Sequence, residues 1–287
     1  MEFKRYRKWI FLYFGVLVFI IILIVIQVIL YNYPSDYNIT TNNLMLDFLI
    51  LFILVSIFST IGGIFLGYLF GPLYLWFHEK LIGKKMLYGF RSKPNSEKLK
   101  GIFTKLFFPA LMVMNFSFLL YDNPILRNIL IDPDTSFGLD RLMVITWLFP
   151  WFSIVGLGFF SGAYFLNDAG IIYSNKNKVR NDVSPVELRS VGNWYIQFLK
   201  GYAGIAVFLN LYELITSMVN ALNQPGQLII IIIFLISWPF MPFILAFLMI
   251  PAIIGLDLTF ERRKKYMLKY AEKRGIKGMI DDPLDLK

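Results

Sequence analysis

The chain has 287 residues, of which 57% are hydrophobic and 16% charged, and its formal net charge is +9. A soluble domain carries roughly a quarter charged residues, so no single water-soluble core could hide this much apolar surface. With no Cys and one His, disulfides, thiolate nucleophiles and zinc sites of the Cys or His type are excluded, and the positive balance calls for no nucleic acid because Lys and Arg gather in alternate loops, as in a chain threading a bilayer.

Residues 1–8 form a basic tail with Lys4, Arg5, Arg7 and Lys8. The apolar run 9–31 is longer than the roughly 7 to 15 residues of a secretory signal core, so it reads as a retained first span. The second run, 44–77, exceeds a straight crossing and should tilt, bend or emerge from the membrane, with Gly71 and Pro72 marking the bend. From His78 to Gly101 basic residues alternate with Leu81, Ile82, Met86, Leu87, Tyr88 and Phe90, which suits a segment lying on the inner membrane surface.

The third span is 102–121 and the fourth 142–166, each near the roughly 20 apolar residues that a crossing needs. Between them lies an outer loop with a turn at Asp132, Pro133 and Asp134; after the fourth comes a polar loop, 167–193, with a turn at Asn175, Lys176 and Asn177. The fifth span, 194–219, is the least hydrophobic. The sixth, 227–256, contains Pro239, Pro242 and Pro251, so it should be kinked or broken. Residues 257–287 form a basic tail that starts as a helix and is stopped by Gly275. The expected fold is all-α: a polytopic membrane bundle of about six transmembrane helices in the cell membrane, with both termini cytoplasmic.

Ser59, Gly63, Gly67 and Gly71 recur every four positions, and Gly158 and Gly162 repeat the pattern in the fourth span. Small residues at this spacing let helices approach closely. Internal helix packing is favoured over a homodimer face or a gating contact.

Gln27, Asp47, Asn115 and Glu213 all fall in the outer half of the membrane, and Asn210 shares a helical face with Glu213. Ionisable groups at such depth usually face an interior or a water-filled cavity. An outward-opening polar pocket with Glu213 at its centre is one reading; the other is structural, with Asp47 at the interface and Glu213 protonated or hydrogen-bonded to Asn115. The cluster Arg262, Arg263, Lys264 and Lys265 is expected at anionic lipid, worth about 1 kcal/mol per charge, ahead of a cytoplasmic protein partner.

Asp281, Asp282 and Asp285 sit in a proline-interrupted tail, and Asp132 and Asp134 in a proline turn, so neither set reads as a metal site. No cofactor or catalytic residue is expected. The leading expectation is a transporter or permease-type subunit. The alternative is a non-catalytic scaffold or assembly subunit that presents the glycine face to a membrane partner. A lipid-modifying enzyme ranks last, because no acid, base and metal set converges.

Overall fold

The computed structural model describes residues 7–31, 42–91, 102–122, 139–175, 188–220, 229, 232, 235–236, 238–276 and 278. Long runs of Ile, Leu, Val and Phe satisfy their backbone groups internally as helices, giving α1 (Arg7–Tyr31), α2 (Asn42–Ile82), α3 (Ile102–Asp122), α4 (Leu139–Asp168) and α5 (Val191–Asn220). The final apolar run is discontinuous: a 3-10 turn at Trp238–Phe240, then α6 (Met241–Leu248), α7 (Ile250–Leu258) and α8 (Phe260–Lys273).

Among the described residues five segments are long and apolar enough to cross a membrane: Arg7–Ile26, Phe48–Lys85, Trp147–Asp168, Val191–Thr216 and Trp238–Leu258. Among the described residues the apolar part of α3, Lys105–Leu120, is shorter.

Proline shapes these helices in two ways. Near Pro251 the last run breaks at Met249, and the Leu248 carbonyl accepts a 2.8 Å hydrogen bond from Ser56 Oγ of α2. Ser56 has one proton, which it turns towards carbonyls, so the Tyr13 hydroxyl of α1 is the donor in their mutual hydrogen bond. Pro72 and Pro109, by contrast, sit inside unbroken helices.

A proline lacks the N–H that would bond the carbonyl four residues earlier. For Pro72 that carbonyl belongs to Tyr68, and the Tyr266 hydroxyl of α8 donates to it at 3.3 Å. For Pro109 it belongs to Lys105, and the Tyr164 hydroxyl of α4 donates to it at 2.8 Å. Each vacancy is thus filled by a tyrosine from another helix, which explains how α2 passes through Pro72 without stopping.

The tightest helix pair is α2 with α4. A Cβ on Gly63 would stand 2.9 Å from Leu157 Cδ2, one on Gly67 2.6 Å from Phe165 Cζ, and one on Gly162 2.6 Å from Phe70 Cβ. Gly158 meets Leu66, Gly71 meets Met267 of α8, and Ser59 is buried. The glycine face is covered from within the chain, so it offers no surface to a membrane partner.

The all-α expectation holds for the bulk of the chain, but a small antiparallel sheet joins the helices at one end. Its order is β1 (Met86–Phe90), β2 (Ile171–Asn175), β3 (Arg189–Ser190), with Tyr88 opposite Tyr173 and Ile172 opposite Ser190. Within the stretch expected to lie on the inner membrane surface, 78–101, residues up to Ile82 continue the helix and Met86–Phe90 pair as a strand, while 92–101 lie outside the described residues. β1 continues α2, β2 follows α4 and β3 leads into α5. Lys105 at the start of α3 meets Asp257 of α7 nearby, so these helix ends converge on one side of the bundle.

Candidate functional site

Two polar clusters lie inside the bundle. In the first, Asn115 of α3 and Asn210 of α5 face each other. Asn210 Nδ2 donates to Asn115 Oδ1 at 2.8 Å and to the Asn115 carbonyl at 2.9 Å, while Asn115 Nδ2 donates to the Leu111 carbonyl at 2.7 Å. Asn115 is 0% exposed and Asn210 4% exposed. Every polar atom of the Asn115 side chain has a partner, but Asn210 Oδ1 has none among the described residues.

A buried acceptor without a donor costs roughly 1 to 3 kcal/mol. Chemically it can accept a hydrogen bond or contribute to holding a cation. The sequence groups Asn115 with Glu213 by depth and Asn210 with Glu213 by helical face, and the structure brings Asn115 and Asn210 into direct contact. The side chains of the other three expected pocket residues, Gln27, Asp47 and Glu213, lie outside the described residues.

The second cluster lies about 15 Å further along α3, ten residues at 1.5 Å each. Arg263 of α8 donates from Nη1 to Asp168 Oδ2 of α4 at 2.7 Å and from Nη2 to the Leu256 carbonyl at 2.7 Å. Its guanidinium lies 4.8 Å from the Phe165 ring centroid. Beside it, Lys105 Nζ stands 3.6 Å from Asp257 Oδ1. Four charges from α3, α4, α7 and α8 thus neutralise one another pairwise.

Arg263 departs from the expectation of a lipid-surface cation, being 2% exposed with both terminal nitrogens bonded in this cluster, while its Nε has no partner among the described residues. The cause is the helical register: α8 turns Arg263, Met267 and Ala271 inward on one face and leaves Arg262 and Lys265 exposed, with Lys264 between. Sequence reading did not single out Lys105, Asp168 or Asp257. Their signal is a charge of each sign at the ends of neighbouring apolar runs, which has meaning only once the runs are known to end together.

The sheet end adds an aromatic joint. His78, the chain's one histidine, accepts or donates at Nδ1 with the Tyr88 hydroxyl at 2.8 Å. Its ring sits edge-on to Tyr173 and Trp194, at 4.6 and 5.5 Å between centroids. Burial pushes the Tyr88 and Tyr173 phenols above their ordinary value, so both stay protonated donors at neutral pH.

Compared with protein-family models, with curated proteins and with solved structures, the chain matches none, so its functional reading rests on its own residues.

Proposed function

We propose that the chain is a six-span membrane protein of the plasma membrane, with both termini cytoplasmic, acting as a transporter or permease-type subunit with a polar pocket in its outer half. The sixth crossing is α3, whose helix covers 21 residues. Support for the orientation comes from the converging helix ends, where exposed Lys80, Lys84, Lys85, Arg91, Arg189, Arg262 and Lys265 cluster as the positive-inside rule asks of the cytoplasmic face. Arg262 and Lys265 are positioned there for anionic lipid.

The observation that carries the pocket is Asn210 Oδ1, a buried acceptor with no donor among the described residues. It lies on the α5 face that continues to Glu213, one turn further out. A solute, an ion or a lipid headgroup entering from outside would supply the missing donor or positive charge. The discontinuity between α6 and α7 gives the bundle a place to move, since irregular backbone at membrane depth is characteristic of transporters.

The absence of Cys makes the test direct. A single Glu213→Cys or Asn210→Cys variant is treated in intact cells with a membrane-impermeant maleimide, with Asn223→Cys as control, a position that the proposed topology puts outside between the fifth and sixth spans. Labelling at 213 or 210 is expected, slower than at 223. Labelling at 223 with none at either pocket position sinks the pocket, leaving an assembly subunit as the better reading.

A further inference from the structure

α2 is longer than a bilayer requires, and its last turns are unusual. Beyond the level where Gly71 meets Met267, Leu73, Phe77 and Leu81 are 37, 42 and 74% exposed, spaced by four on one side of the helix. The opposite side is packed: Leu75 and His78 are buried, and Glu79 is bridged to Arg274 at 2.8 Å. Flanking the apolar side are exposed Lys80, Lys84 and Lys85, with Lys80 Nζ 4.9 Å from the Trp76 ring centroid. Three large apolar side chains beside three lysines and a tryptophan form a membrane-interface pattern.

Length decides whether lipid can reach this patch. Exposed apolar residues run from Leu46 through Ile57, Phe65 and Leu73 to Leu81, about 52 Å at 1.5 Å per residue. The hydrocarbon core is about 30 Å thick, and the bilayer with its headgroup layers about 40 to 45 Å. A tilt of roughly 30°, within the usual range for membrane helices, lets the whole stripe fit. Leu81 then lies in the inner headgroup layer, level with the three lysines.

We propose that the C-terminal end of α2 is a binding site for anionic phospholipid of the inner leaflet. Lys80, Lys84 and Lys85 hold the headgroup phosphates, Leu73 and Phe77 lie among the glycerol and first acyl carbons, and Leu81 lies between the headgroups. Trp76 sits at the boundary with Lys80 over its ring. Charge complementarity and continuity with the lipid-facing stripe select this occupant over a cytoplasmic protein, which would need no such continuity. The inference rests on the membrane-spanning reading above.

The experiment uses the full chain in lipid nanodiscs of phosphatidylcholine, alone or with about one third phosphatidylglycerol. A polarity-sensitive fluorophore is attached at Leu81→Cys, or at Phe65→Cys in mid-stripe as control. The expected result is lipid-shielded emission at position 81, quenched by spin labels on anionic lipid in preference to neutral lipid. That preference should fall about fivefold for each lysine changed in the series Lys80→Gln, Lys84→Gln, Lys85→Gln. Water-like emission at 81 with position 65 shielded overturns the lipid site and leaves the membrane reading intact. Shielding at 81 without quenching by lipid spin labels means a protein segment covers the patch, and also overturns it. Water-like emission at both positions overturns the membrane reading itself.

Discussion

Arg263 and Asp168 are 95 positions apart in sequence, yet the guanidinium of one reaches the carboxylate of the other at 2.7 Å and ties the basic helix α8 to the end of α4. Removing one partner of a buried pair leaves an uncompensated charge, at a cost of roughly 3 kcal/mol or more. Arg263→Gln should therefore lower thermal stability in detergent by that order. The neighbouring exposed Arg262→Gln should change it by less than about 0.5 kcal/mol. Equal losses would refute the division between the two arginines.

Tyr164 should prove coupled to Pro109. Tyr164→Phe removes the donor to the Lys105 carbonyl and should cost about 1 to 3 kcal/mol. In a Pro109→Ala background residue 109 recovers its N–H and can itself bond that carbonyl. The same Tyr164→Phe change should then cost at least about 1 kcal/mol less. Additive losses in this double-mutant cycle would mean the tyrosine is not filling the vacancy left by proline.

Glycines of this chain divide by what a methyl group would meet. Gly162→Ala puts a Cβ 2.6 Å from Phe70 Cβ and 3.0 Å from the Gly71 nitrogen, which α2 can avoid only by moving away. A loss of roughly 1 to 3 kcal/mol is expected. Gly204→Ala meets nothing within 4 Å and should stabilise α5 by up to about 1 kcal/mol. Opposite signs in unfolding midpoints would confirm the pattern; a gain at Gly162 would break it.

Alkaline pH should loosen the sheet end. Burial, then the Glu79 charge and the nearby Tyr173 and Tyr195, raise the Tyr88 phenol above its usual value of 10.0. An acid with a raised folded pKa stabilises the fold below its unfolded pKa and loses that contribution as pH rises through the folded value. Unfolding midpoints measured from pH 8 upward should hold to about 10 and then fall. Tyr88→Phe should flatten this fall while lowering stability at neutral pH, because His78 Nδ1 loses its partner. An unchanged alkaline slope would assign the loss to other groups.

The helical bulk was legible because apolar runs near 20 residues satisfy their backbone groups as helices, and Pro239, Pro242 and Pro251 marked the last run as kinked or broken without telling that a break falls at Met249. The four-residue glycine spacing told of close approach but not of which helix approaches. That information lies in Ile154, Leu157 and Phe165, which carry no special signature.

The sheet escaped notice for a different reason. β1 and β2 are five residues each and β3 two, too short for a periodic signal, and they pair across long stretches of chain. Among four adjacent cations, only the docking register of α8 decides that Arg263 turns inward. Depth along the third and fifth spans grouped Asn115 with Glu213, and the shared helical face added Asn210, but the direct contact of Asn210 with Asn115 depends on how α3 and α5 pack and was not legible.

The pairing of β1 with β2 sets an order of events during synthesis. Phe90 emerges from the ribosome long before its partner Ile171, and at about 5 to 20 residues per second the interval is roughly 4 to 16 s. Throughout it α2 lacks the α4 partner of its glycine face and its following strand is unpaired. A translation pause between α3 and α4 would prolong that half-built state, which is when an insertase or a protease has its widest opening on the nascent protein.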